Sequence, residues 1–221
     1  MAIPGARARF YSGRVLIRHP DPVRDAAGCA RVYAPAVADG VASLECDPPS
    51  AHQMRARIEA VESRYPWLIA EDGGSIVGYA YATVHNERSA YRWSTDVSVY
   101  VDPAVHRRGV GRALYTALLP LLACQGLYVA CAGITLPNPA SVGLHESVGF
   151  TPVGTYERVG FKRGSWWGVG WWLMQLRDQP DGLTPAEPGP PARLEAQPRV
   201  LLGPRPPTRV QTGPPARLQA R

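Results

Sequence analysis

None of the four cysteines, Cys29, Cys46, Cys124 and Cys131, forms a CxxC pair. That spacing excludes the common zinc-binding arrangements and offers no disulfide framework. It predicts reduced thiols, a cytoplasmic protein and no metal site. Long apolar runs are missing too: the longest block, residues 117–124, contains Pro120 and falls far short of a membrane span. The N-terminus carries arginines but no apolar stretch of secretion-signal length. Neither the GxxxxGK phosphate loop nor the GxGxxG dinucleotide fingerprint occurs. Charge is sparse, at 19% of residues against 45% hydrophobic, which points to a packed domain.

Aromatic residues stop before the C-terminus. Between residues 177 and 221 there are none, and 11 of those 45 positions are proline. Such a segment buries too little apolar surface to offset the entropy of ordering, which predicts a disordered tail over 178–221. Residues 1–13 read as a flexible leader. One domain of ordinary size remains, residues 14–177. Residues 177–221 also hold seven arginines against four acids, which is half of the formal net charge of +6. The domain is therefore only slightly basic. With no zinc-finger spacing and no RNA-type aromatic motif, the sequence predicts no nucleic-acid partner.

Within the domain, periodicity predicts strands at 15–18, 67–70, 76–84, 95–101, 127–132, 153–158 and 168–176. Helices are predicted from Pro22, from a cap at Ser50 to Arg64, from about 110 to 124, and from 140 to 148. Pro35 is expected to kink or end the first of them. Glu71-Asp72-Gly73-Gly74 is a hairpin turn signal. The order β-α-α-β-β-β-α-β-α-β-β makes an α/β domain with a mixed central sheet flanked by helices.

The stretch VHRRGVGRALYTALL (105–119) follows the predicted 95–101 strand and opens a helix. A helix start offers unpaired N–H groups and partial positive charge. Gly109 and Gly111 permit close approach of a ligand to the backbone. His106, Arg107 and Arg108 add donors. Together they make an anion cradle suited to a pyrophosphate, or an ordinary turn with a solvated basic tip.

His106-Arg107-Arg108-Gly109-Val110-Gly111 resembles the Q/R-x-x-G-x-G/A signature of the GNAT superfamily of N-acetyltransferases. The element order is similar to the GNAT-like acyl-CoA N-acyltransferase fold. RYPWLIAE (64–71), AYRWSTDVSVYVDP (90–103), GRALYTALL (111–119), LPNPASVGLHESVGF (136–150) and GFKRGSWW (160–167) resemble, in order and spacing, the phosphinothricin acetyltransferase branch. The resemblance spans residues 14–176. It implies acetyl-CoA, a homodimer, and direct attack by the primary amine of a small amino-acid-like substrate of the phosphinothricin or methionine sulfoximine type. The backbone of Val99, Tyr100 and Val101 would grip the pantetheine arm. His106, Arg107, Arg108, Gly109, Val110, Gly111 and Arg112 would hold the pyrophosphate. A degenerate acetyl-CoA-binding protein, or an acetyltransferase for another amine or a protein lysine, are the alternatives.

The chemistry needs a base, because a protonated amine is not a nucleophile. The resemblance points to Asp96, which stands where the branch carries glutamate; its shorter side chain acts through a water or across a smaller gap, or is merely a strand-start cap. His145 matches the histidine of the family's H-E-x-x-G block. It orients substrate, relays the amine proton, or is a structural histidine. Gly149 in place of a second histidine excludes an HExxH metalloprotease. Asn138 is expected to touch the cofactor arm or to cap the helix after it, and Ser141 to bond the cofactor or cap the same helix. On the acceptor side the chain departs from the branch at Ala38–Leu44 and at Gly168, where the family has an aspartate. Arg88, Arg92, Lys162 and Arg163 are the cations expected around an anionic acceptor, unless they are solvated loop charges.

Overall fold

Trp67, Leu68, Ile69 and Ala70 are all buried, because both faces of the strand they form are covered. The protein, seen in a computed structural model, is described over residues 14–179 and 181–203. In chain order it comprises β1 (Arg14–Arg18), α1 (Pro22–Ala38), α2 (Ala51–Glu62), β2 (Trp67–Asp72), β3 (Ser75–Val84), β4 (Ser94–Val101), α3 (Val110–Gln125), β5 (Val129–Leu136), α4 (Pro139–Ser147), β6 (Thr151–Lys162), β7 (Ser165–Gln175) and β8 (Arg199–Leu201). The strands form one sheet in the order β6-β7-β5-β4-β3-β2-β1-β8. Among them the β4–β5 pair alone is parallel.

Alternation along β2 and β3 divides the core. Trp67, Ile69, Ile76 and Tyr79 pack with α1 and α2 residues such as Val32, Met54 and Ile58. Leu68, Ala70, Val77 and Ala80 pack with Leu114, Leu118 and Leu122 of α3. Gly78 lets α3 settle on the sheet: a Cβ there would lie 3.1 Å from Val110 Cγ1 and 3.0 Å from the Tyr100 carbonyl oxygen.

The helix starts follow local chemistry. Asp21 caps α1 by accepting from the Val23 and Arg24 N–H groups, and Pro22 occupies the first turn. Ser50 and Gln53 form a reciprocal capping box at α2. Pro35 does not end α1. The helix runs on to Ala38, and the Asp39 N–H still reaches the Pro35 carbonyl at 3.1 Å. The proline still forgoes its own N–H bond to the Arg31 carbonyl, and only three helical residues follow it.

The proline-rich segment corrects the expectation of disorder as far as it is described. Residues 181–203 run back over the domain as an extended strap. Trp93 Nε1 donates to the Ala186 carbonyl at 2.8 Å, and the Gly189 N–H donates to the Gln125 carbonyl at 2.7 Å. Ala192, Leu194 and Leu202 pack on the core, and β8 pairs antiparallel with β1. Prolines lower the entropy lost when an extended chain is ordered, and the β1 edge supplies a row of otherwise unpaired backbone groups. The expected leader at 1–13 and the end of the expected tail, 204–221, lie outside the described residues.

Candidate active site

Strands β4 and β5 part company early. They pair at three rungs: Ser94 with Val129, Thr95 with Ala130, and Asp96 with Cys131. Beyond Asp96, β4 continues to Val101 held only by β3, while β5 continues to Leu136 held by β7. The sheet therefore opens as a wedge between two parallel strands. Among the described residues, the facing edge of β4, including the backbone of Val99, has no strand partner there. An unpaired strand edge takes the amide groups of an extended ligand in the way it would take another strand.

At the far end of the wedge stands α3. Gly109 precedes it with φ +90°, and no side chain caps its first turn. Arg107 is also left-handed, at φ +60°. Alternation of this kind curves a loop into an anion-binding concavity beside the helix's positive end. Arg107 and Arg112 are exposed, whereas Val110 and Gly111 are buried. Gly111 lies against α4, where an added Cβ would come within 2.7 Å of Leu144. The wedge, the uncapped α3 and the cationic rim fit a long anionic cofactor of the acyl-CoA type.

Several of the expected cofactor contacts have other work. His106 Nε2 donates to the Val101 carbonyl at 2.8 Å, tying the loop to the end of β4. Because a carbonyl only accepts, this bond fixes the proton on Nε2 and occupies that carbonyl. Arg108 Nε donates to the Gly203 carbonyl, and the Gly203 N–H donates to the Arg108 carbonyl, both at 3.0 Å. The Tyr100 ring turns toward α1, 4.6 Å from Tyr33 and 5.5 Å from Tyr79. Asn138 accepts the Ser141 N–H at 3.1 Å and so caps α4. Ser141 Oγ lies 3.4 Å from His145 Nδ1.

His145 is buried in the core, with Nδ1 donating to the Ser141 carbonyl at 2.8 Å and Nε2 2.8 Å from the Tyr115 hydroxyl. Since Nδ1 carries the proton, Nε2 accepts from Tyr115. The ring stacks edge-on with Tyr115 and Phe150. Burial drives its pKa down, with the Ser141 carbonyl pulling weakly the other way. Both nitrogens are thus engaged in the packing of α4 on α3.

Asp96 fares differently. It sits on the last rung before the strands part, with its carboxylate part-exposed and 2.6 Å from His85 Nδ1. Burial raises its pKa above the ordinary value, while the His85 contact works in the opposite direction. Cys131 stands opposite; burial pushes its thiol up to about 11, so it stays protonated at neutral pH. Among the described residues, His85, Asp96 and Cys131 are the one group of potential metal donors, lying within 4.8 Å of one another. Two ligands of a tetrahedral ion, each about 2.0–2.2 Å from it, stand roughly 3.3 Å apart. The His85–Asp96 separation is shorter than that and is the length of a charge-assisted hydrogen bond.

Sequence reasoning missed His85. It lies one residue past β3, and a strand assignment ending at Val84 hides it. The signal available was alternation, since residues 81, 83 and 85 share a face. The antiparallel register puts Thr83 opposite Asp96, so His85 projects beside the carboxylate.

Aromatics fill the packing between the sheet and α1 and α2. Trp67 stacks on Tyr79 and Tyr81, at 5.0 and 4.3 Å. The Tyr33 hydroxyl, its pKa pushed up to about 12 by burial, bonds Ser43 and Glu45. Arg57 grips Glu45 with two bonds of 2.8 and 2.9 Å. Lys162 is buried and donates to the Val37 and Ser43 carbonyls, both at 2.7 Å. Arg163 donates to the Ala38 carbonyl, and Arg92 pairs with Glu187. These three cations therefore tie loops together. Of the four expected, Arg88 alone has no side-chain bond among the described residues.

Comparison with known proteins agrees with this geometry. Residues 27–150 match the model of the acetyltransferase (GNAT) family. The chain is 39% identical to a phosphinothricin N-acetyltransferase of Streptomyces viridochromogenes, over 67% of this chain and 78% of that protein. It is 33% identical to an L-methionine sulfoximine/L-methionine sulfone acetyltransferase of Pseudomonas paraeruginosa, over 74% of this chain and 95% of that one. In structure it is similar to a GNAT superfamily phosphinothricin acetyltransferase of Sinorhizobium meliloti in complex with acetyl-CoA. The TM-score is 0.73 and the identity 30%, over 78% of this chain and 94% of that chain.

Proposed function

Because the chain belongs to the GNAT family of acetyltransferases, we propose that it acetylates the primary amine of a small amino-acid-like compound by direct attack on acetyl-CoA. The observation that carries this reading is the parting of β4 from β5 at Asp96 and Cys131. It leaves a strand edge for an extended arm, an uncapped helix start beyond it, and a carboxylate at the fork.

When bound, acetyl-CoA supplies the activated acyl group. The Val99 backbone would hold its arm, and Gly109, Val110 and Gly111, with Arg107 and Arg112 at the rim, would hold its phosphates. The remaining work falls to side chains. Asp96 favours loss of the amine's proton at the fork. Arg88, exposed and without a side-chain bond among the described residues, would be the cation that meets an acceptor carboxylate. The departures at Ala38–Leu44 favour an acceptor that differs from phosphinothricin while keeping an α-amino acid core.

A homodimer completes this reading. Val153, Tyr156, Val159 and Phe161 on the edge strand β6, with Trp166 on β7, are exposed. An apolar edge of this kind marks a protein contact, and a second copy is the occupant the family resemblance favours. The reaction is assigned to the cytoplasm. Four free cysteines and the absence, among the described residues, of a helix long and apolar enough to cross a membrane support that assignment.

Free-thiol release from acetyl-CoA tests the activity, with methionine sulfone, methionine sulfoximine, phosphinothricin, the standard amino acids and simple polyamines as acceptors. Mass spectrometry of the products then identifies the acetylated amine. Transfer to an α-amino acid or analogue is expected. Acetyl-CoA binding without transfer to any of them would support a degenerate binding protein instead.

A further inference from the structure

We infer that His85 is the group that takes the proton from the acceptor amine, and that Asp96 is its positioning carboxylate. The inference rests on the acetyltransferase reading and deepens it.

An aspartate at the fork is short, and its carboxylate is already committed: Oδ1 lies 2.6 Å from His85 Nδ1. An ionised carboxylate only accepts, so Nδ1 carries the hydrogen and Nε2 holds the free lone pair. Carboxylate, imidazole Nδ1–H and open Nε2 together make the base-and-orienter arrangement that other hydrolases and transferases use to extract protons from nucleophiles. His85 extends the basic atom several bonds beyond the place where the Asp96 carboxylate ends.

The surroundings suit the role. The His85 ring is held by Tyr91 at 5.8 Å and edge-on by Trp171 at 6.0 Å. Its side chain keeps 26% exposure. Among the described residues Nε2 has no hydrogen-bond partner, in contrast to His145, whose nitrogens are both spent. The titratable groups facing His85 are Asp96 from β4, Cys131 from β5 and Tyr91 from the 89–91 turn. Glu87 and Tyr65 lie within electrostatic range of one another, and Tyr65 of Asp96. Cys131 stays a thiol and does not compete for the proton.

The step balances simply. An ammonium proton passes to His85 Nε2, and the freed nitrogen lone pair forms the N–C bond to the acetyl carbon. The C–S bond breaks and its electron pair leaves with sulfur. A second nitrogen proton neutralises the thiolate, and the imidazolium returns its own to water.

Steady-state transfer between pH 5.5 and 9 tests this, on the full chain with whichever amine the parent accepts. His85→Gln is expected to lower kcat by about 100-fold or more, the ordinary contribution of a general base. KM for acetyl-CoA should stay within about twofold, because the residue touches only the acceptor amine. The kcat/KM of His85→Gln should rise steadily with pH toward the amine's own ionisation, because only acceptor already deprotonated in solution then reacts. Added imidazole should restore turnover to His85→Gly, while the exposed His52→Gln control behaves as the parent. Full turnover by His85→Gln overturns the assignment. So does a loss that added imidazole leaves untouched in His85→Gly, since that would mark a structural role. Failure of the parent itself to acetylate any amine overturns the proposed function, a different result from transfer that His85→Gln leaves intact.

Discussion

Arg108 and Gly203 exchange two hydrogen bonds of 3.0 Å, one from each backbone or side-chain donor to the other's carbonyl. The pair joins the loop before α3 to a strap more than ninety residues later in the chain. The same strap also holds the other end of α3, through Gly189 and Gln125. A stop codon after Gln197 removes β8 and frees the loop. We expect a lower melting temperature and roughly tenfold weaker acetyl-CoA binding, since about 1.4 kcal/mol of lost loop order corresponds to that factor. Calorimetric titration of acetyl-CoA into the shortened protein measures it.

Gly109 tests the cradle itself. It is left-handed, and an added Cβ would meet nothing within 4 Å, so substitution acts purely through the backbone. Gly109→Ala should cost about 1–2 kcal/mol of stability, the strain of a left-handed L-residue. Denaturant melts measure that cost. If the loop instead relaxes to a right-handed form, stability is kept and acetyl-CoA affinity falls further.

Asp96→Asn removes the carboxylate and leaves its shape. Acetyl-CoA binding should change little, while kcat should fall by roughly 10²–10⁴, the loss expected when an orienting carboxylate holds the wrong tautomer of its histidine. Rapid-quench measurement of the transfer step separates this from slow product release.

His145 should be a stability residue. His145→Ala opens space between Tyr115 and Phe150 and leaves the Tyr115 hydroxyl without its acceptor. A loss of about 2–4 kcal/mol is expected from cavity and unpaired hydroxyl together. Thermal unfolding reports it, and kcat of the folded fraction should stay near that of the parent.

An acid limit is built into β1. Asp25 is buried, which alone would raise its pKa, but Arg18 with the Asp21 N–H and Arg24 outweighs burial and holds it below the ordinary carboxylate value. Arg18 bonds Asp25 at 2.6 and 2.9 Å and also pairs with Glu71. A depressed carboxylate stabilises the fold above its unfolded pKa of about 3.9, and that stability is lost as pH falls through the lower folded value. Asp25→Asn should therefore cost about 3 kcal/mol at pH 7. The penalty should shrink below pH 4, as followed by urea melts at a series of pH values.

Much of the fold was legible in the sequence because local chemistry specified it. The Pro22 start of α1, the Ser50 cap, the turn at Gly73-Gly74 and Gly109 before α3 each carry a conformational demand of their own. The site was legible where backbone makes it, at the wedge edge and the α3 start. It was less legible where side chains act. His106, Asn138 and His145 sit in motif positions, yet their partners are carbonyls, caps and a tyrosine that only packing brings near. His85 was hidden because its partner is set by the β3–β4 register. The strap was hidden because composition cannot show that β1 leaves an edge open.

The most direct measurement is product mass after incubating the protein with acetyl-CoA and two matched acceptors, an α-amino acid analogue such as methionine sulfone and its α-hydroxy counterpart. One acetyl group is expected on the amine and none on the hydroxy compound, with thiol release that keeps pace with product. Thiol release equal for both compounds and for buffer alone would contradict this expectation, because the wedge would then hold a thioester without directing an amine to it.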